Sequence, residues 1–160
     1  MVKNMISGIV ENKKQFMALL LKDSVFDKFL VRSISLRTSV AYEIDCALDK
    51  NWFDSDEAEN LEKYAHWSAM RPVVFSLIKG KRLPGYMKIV LSAAPSAAEK
   101  IHKNAAALFI NIIFENNILY ITTGCSQKVF SLDKSLDQTW DETASRFFKK
   151  CGIILEAGEI

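Results

Sequence analysis

Two runs of β-forming residues, Ala107 to Phe114 and Ile118 to Thr123, are separated by only Glu115-Asn116-Asn117. Asparagine tolerates the left-handed backbone that a tight hairpin turn demands, so these runs fold back on one another as antiparallel neighbours. A second pair of runs makes the same demand. Lys28 to Leu36 ends in strict alternation. Beyond a turn at Thr38-Ser39, Val40, Tyr42, Ile44, Cys46 and Leu48 alternate with Ala41, Glu43, Asp45 and Ala47. A period of two places one set on each face of a half-buried strand. Hairpins therefore dominate, and the expected class is α+β with a mostly antiparallel sheet.

Helical spacing fills the gaps between strands. Asn12 is placed to cap a helix through Lys22 that carries Phe16, Leu19 and Leu20. Met70, Val73, Val74, Leu77 and Ile78 form a strong apolar stripe, with Pro72 expected in the first turn and Gly80 just past the end. Ser96 with Glu99 reads as a capping box for a short helix to about Asn104. Ser135 with Gln138 reads as another, opening a last helix with Leu136, Trp140, Ala144, Phe147 and Cys151 on one face and Gly152 as its stop. Met5 to Val10, Tyr86 to Ala93 and Lys128 to Leu132 read as further strands. The helices are expected on one face of the sheet. The helix-then-hairpin unit near residues 12–48 recurs near 96–123, the pattern of an internal β-α-β-β duplication. Between the halves, 49–63 is an acidic, solvated connection carrying Asp54, Asp56, Glu57, Glu59 and Glu62.

A chain of 160 residues fits one domain, 1–160, and a domain of that size buries roughly 70% of its unfolded surface without needing staples. The three cysteines, Cys46, Cys125 and Cys151, are odd in number and form no CxxC, which points to a reducing cytoplasm. The N-terminal MVKNMISGIVENKK lacks the apolar region of a secretory leader, and no apolar run approaches the ~18 residues of a membrane span. The expected protein is soluble and cytoplasmic, with no membrane partner.

Several chemistries are excluded by pattern. None of the six glycines forms GxGxxG or a Walker loop. His66 and His102 are far apart and have no zinc-ligand company. Asp54-Ser55-Asp56 starts like a calcium loop, but Glu59 stands where glycine is needed and Ala65 where glutamate is needed. No metal and no cofactor are expected. One nucleophile remains: Cys125, in a turn after a strand, with His102 or His66 as the base it would need. Cys46 and Cys151 fall on apolar faces and read as core.

A formal charge of +2 implies no partner by itself. Its local distribution is more informative. Arg71, Lys79, Lys81, Arg82 and Lys88 cluster around the turn between Gly80 and Pro84, where cations and backbone amides suit a phosphate. Trp67 and Tyr86 are candidates to stack on bases.

These residues carry a resemblance. Tyr64, Trp67, Arg71-Pro72, Phe75, the run Leu77-Ile78-Lys79-Gly80-Lys81-Arg82, Pro84 and Lys88-Ile89-Val90 resemble an uncharacterised family of clostridia and related anaerobic Firmicutes. Leu108-Phe109-Ile110-Asn111, Phe130-Ser131-Leu132-Asp133-Lys134-Ser135-Leu136, Trp140-Asp141-Glu142 and Phe147-Phe148-Lys149 extend it over nearly the whole chain. The resemblance implies a bacterial cytoplasmic protein and transfers no catalytic residue. In architecture the repeated strand, helix and hairpin is also similar to the half-domain of DNA sliding clamps, an analogy of fold that does not fix function.

Three functional readings follow. The first is a non-enzymatic binding module that holds an anionic partner, nucleic acid foremost, through the basic turn. The second is a protein-interaction or self-association module, a homo-oligomer included, that buries Trp52, Phe53 and Trp67. The third is a small hydrolase or transferase that uses Cys125.

Overall fold

Asn116 and Asn117 take φ values of 53° and 64°, and Glu115 pairs with Ile118 across them. The strands they join, β6 (Ala105–Glu115) and β7 (Ile118–Gln127), sit near the middle of the sheet. The computed structural model describes residues 7–78 and 82–157. Within them the other strands are β1 (Ser7–Val10), β2 (Leu30–Arg37), β3 (Ala41–Asp45), β4 (Ala65–His66), β5 (Tyr86–Ser92) and β8 (Leu155–Ala157). They form one sheet in the order β3-β2-β5-β6-β7-β1-β8, with β4 added against the start of β2. Every pairing is antiparallel. The α+β class and the antiparallel sheet stand as expected.

Period-two alternation gives this sheet two unlike faces. Ile34, Leu36, Met87, Ile89, Leu91, Leu108, Ile110, Ile112, Leu119 and Ile121 are buried on one side. That side is covered by α1 (Lys13–Leu21), α3 (Trp67–Ile78), α4 (Pro95–Ile101) and α5 (Ser135–Lys150), whose Phe16, Leu20, Val74, Ala98, Trp140 and Phe148 join the same core. Burying aliphatic and aromatic side chains between one sheet face and a helical layer is the main driving force here. The opposite face carries Ser35, Lys88, Asn111, Ile113, Tyr120 and Thr122, none of them buried. Cross-strand pairs tie it together: Ser35 Oγ donates to Glu43 at 2.9 Å and Asn111 Nδ2 to Thr122 Oγ1 at 3.1 Å. At one end Arg32, in the register shift of β2, lays its guanidinium between the rings of Tyr64 and Phe109, 4.4 and 4.8 Å from their centres.

The acidic connection is ordered. The Leu48 N–H donates to the Lys63 carbonyl and the Ala65 N–H to that of Cys46, both at 2.9 Å, so its two ends are clasped. Between them lie a 3-10 turn (Lys50–Trp52) and α2 (Ser55–Glu59), neither with a buried residue. Glu57 accepts from the Asp54 N–H at 3.2 Å and steadies the start of α2. No helix among the described residues is long and apolar enough to cross a membrane.

Some local expectations are corrected. The stripe helix α3 starts at Trp67, so Pro72 stands in its interior and not in its first turn. Neither capping box forms. Pro95 opens α4 at its first position, and Asp133, not Ser135, accepts the first N–H of α5, from Ser135 at 2.9 Å. Residues 128–132, expected as a strand, form a loop, and a short strand not expected from sequence, β8, lies against β1. Asn12 does cap α1, accepting from the Gln15 N–H at 3.0 Å, and Gly152 takes a φ of 74° beyond α5. The strand-helix-hairpin order occurs twice, but the pairing does not repeat. β5 lies beside its own hairpin strand β6, whereas β1 lies against β7 and β8. Gly80 lies outside the described residues, as do Lys79, Lys81 and the Met5-Ile6 start of the first strand.

Candidate functional site

α1 is apolar almost all round after its two opening lysines: Phe16-Met17-Ala18-Leu19-Leu20-Leu21. Such a helix has more apolar surface than one contact can bury. Its inner side, Phe16, Leu20 and Leu21, is buried in the core. Its outer side faces α3, and the two helices bound a groove of about 580 Å³. Met17, Ala18, Phe75, Ile78 and Leu83 line its floor; Lys13, Lys14, Lys22 and Arg82 stand around it. Among the described residues no carboxylate lines it. Among the described residues none of these four cations makes an ion pair. Lys13 Nζ donates to the backbone and side-chain oxygens of Asn117, at 2.8 and 3.1 Å, and so ties α1 to the hairpin turn.

The described cations of the group expected from sequence, Arg71, Arg82 and Lys88, are dispersed by the fold. Arg71 is spent on Asp27, with Nε and Nη2 donating to the two carboxylate oxygens at 3.0 and 2.8 Å. That bond is the main reason its pKa is raised. Lys88 and Tyr86 project from β5 on the open face, away from α1 and α3, and the Arg37 guanidinium lies 5.7 Å from the Tyr86 ring. Trp67 has 0% exposure, and its Nε1 donates to the Leu20 carbonyl at 3.0 Å. No ring face is left there for a base to stack on. Of the described cations in that expected cluster, Arg82 alone lines the groove. The partners that sequence reasoning missed are Lys13, Lys14 and Lys22; the signal was a lysine pair and a third lysine bracketing an apolar run.

The thiol site is assembled differently from a nucleophile. Cys125 Sγ donates to Asp137 Oδ1 at 2.7 Å. Burial first, then that bond, pushes the thiol up to about 12. A carboxylate neighbour opposes the thiolate that such chemistry requires. His102 is committed elsewhere. Its Nδ1 accepts from the Asn104 N–H at 3.1 Å, which leaves the proton on Nε2, facing Ser135 Oγ at 3.0 Å. Ser135 Oγ in turn donates to Asp133 Oδ2 at 3.1 Å. The serine hydrogen therefore points at the aspartate, and the imidazole is a donor to that oxygen, not a base for it. Two hydrogen bonds from Ser135, backbone first and hydroxyl second, hold Asp133 below its ordinary value. His66 lies exposed in β4 opposite Leu30. Among the described residues no three His, Cys, Asp or Glu side chains are placed to hold a metal ion.

Fold and groove define an α+β protein with a one-sided antiparallel sheet and an amphipathic surface cleft between two of its helices. The chain belongs to DUF5721, a family of unknown function whose model matches residues 19–156. That span runs from within α1 to β8 and includes all of α3; Lys13, Lys14, Met17 and Ala18 stand before it. No curated protein and no solved structure matches the chain.

Proposed function

We propose that this protein is a non-enzymatic binding module that engages an anionic partner, and that the engaging surface is the α1–α3 groove. One observation carries this reading: among the described residues, four cations and no carboxylate, drawn from two separate segments, line this cleft. Like charges gathered without a counter-charge repel one another, and an anion relieves that cost. Nucleic acid is the simplest polyanion to try. Fluorescence anisotropy with labelled single- and double-stranded DNA is expected to show binding that falls on a log–log salt plot with a slope of about −3 to −4, for four cations. Lys14→Glu with Arg82→Glu should abolish it. An absence of binding to any polyanion at low salt removes the reading.

A second reading, protein contact or self-association, has its own observation. Of the aromatics expected at an interface, Trp67 is internal, while Trp52 is exposed. The loop 128–134 shows Phe130 and Leu132 at 81% and 82% exposure. Side-chain amides hold this loop in shape. Asn104 exchanges hydrogen bonds with both backbone groups of Val129, each at 3.0 Å. Gln127 does the same for Ser131, at 3.1 and 3.0 Å. Pre-ordered apolar side chains lose little entropy on docking. Light scattering is expected to show concentration-dependent association that Phe130→Ser with Leu132→Ser eliminates; a monomer at every concentration overturns this reading.

A further inference from the structure

The groove's floor has a shape as well as a charge. On α1 its lining residues fall in two adjacent rows spaced by four: Lys13, Met17 and Leu21, and beside them Lys14, Ala18 and Lys22. On α3, Phe75 and Ile78 add a further row one turn apart. Rows of this kind are the ridges between which another helix seats its own, at an interaxial distance of roughly 8–10 Å. Ala18 is the small residue that permits that approach, and it is exposed. Phe75 is 42% exposed although its helix neighbour Val74 is fully buried. The apolar surface is thus left over from the core and points into the cleft.

We propose that the occupant is an acidic amphipathic helix contributed by a partner protein. This rests on the reading of the groove as an anion-binding site and goes further by naming the partner's chemistry. Its apolar stripe, at i, i+3, i+4 and i+7, covers Met17, Ala18, Phe75 and Ile78, while carboxylates on its flanks meet Lys14, Lys22 and Arg82. Charge complementarity selects an acidic partner, and the apolar floor selects a helix over a nucleic acid. A phosphate backbone satisfies the rim alone, leaves the floor in water, and among the described residues finds one aromatic ring and no hydrogen-bonding side chain on the floor to read a base. At about 1.5 Å per residue, the nine residues of α1 present a surface about 14 Å long, which accommodates between two and three turns of the partner.

The test uses the whole chain and three fluorescent probes. One is a synthetic helix of about five turns (~18 residues) with leucines at that spacing and glutamates elsewhere. Another is a scrambled peptide of identical composition, and the third is single-stranded DNA of similar charge. The amphipathic peptide should bind at least about tenfold more tightly than the scramble. Ala18→Gln, which changes no charge at an exposed position, should erase that margin and leave DNA binding as it was. If both peptides and the DNA bind alike and are weakened alike by Lys14→Glu with Arg82→Glu, the helix inference falls and the anionic-partner reading stands. If no probe binds at low salt, both fall.

Discussion

The proton on Cys125 is held in place at neutral pH, because Asp137 accepts its hydrogen bond across 2.7 Å and burial penalises the thiolate. Iodoacetamide at pH 7.5 should leave this thiol unmodified in the folded protein, and Asp137→Asn should make it react at a lower pH. Mass spectrometry of the alkylated protein reads both. The linkage to stability has a definite sign. The folded thiol sits at about 12 against an ordinary value of 9.0, so between those values the native state holds more protons than the unfolded one. The contribution of this thiol to stability is complete below pH 9 and is lost as pH rises through 12. Cys46, raised to about 11 mainly by burial, contributes in the same direction over a narrower window. Urea melts between pH 8 and 10.5 should show the midpoint falling, and a flat profile refutes the assignment. Asn116 makes the complementary point about backbone. Its φ of 53° suits asparagine and opposes a β-branched residue, so Asn116→Val should cost roughly 1–2 kcal/mol in a denaturant titration.

Among the elements, α3 shows both what periodicity reveals and what it hides. Its apolar stripe was legible, and Val74 at its centre is fully buried. Val74→Asp places an unpaired charge in the core and should abolish folding; a soluble, cooperatively melting variant would show that the stripe does not face the sheet. Its start was not legible. Pro72 suits a first turn so well that it hid the turn before it, where the Trp67 N–H donates to the Phe29 carbonyl and its ring sinks into the core. Tertiary burial of a tryptophan outweighs a local preference. An interior proline gives no N–H to the Ser68 carbonyl and crowds it. Pro72 is exposed, so Pro72→Ala should raise the melting temperature, by up to about 3 kcal/mol of stability. The loop at 128–132 fails the other way. Its residues have strand propensity, but side-chain amides of Asn104 and Gln127 take the hydrogen bonds a neighbouring strand would have used.

At the scale of the whole molecule, the two hairpins, the class and the one-sided helical layer were legible because each depends on local spacing. Sheet order was not. The β2–β5 and β7–β1 pairings join segments far apart in the chain, and alternation says which face a residue occupies without saying which strand lies next to it. The same limit governed the site. Arg82 and Lys88 are close in sequence, yet Arg82 lines the groove on the helical side while Lys88 stands on the open face of β5, and the groove requires α1 beside α3, about fifty residues later. One-sidedness itself can be tested on two adjacent residues of β6. Ile112 is fully buried against the helices, and Ile113 stands half-buried on the open face, between Lys88 of β5 and Tyr120 of β7. Ile112→Ala leaves a cavity in the core and should cost about 2–5 kcal/mol. Ile113→Ala removes the same atoms from a surface that water already reaches, and should cost about 1 kcal/mol or less. Urea titrations of the two variants at several protein concentrations decide the matter. A large, concentration-dependent loss for Ile113→Ala would mean that the open face is covered in solution by a second copy. A concentration-independent gap between the two variants places the whole core on the helical side.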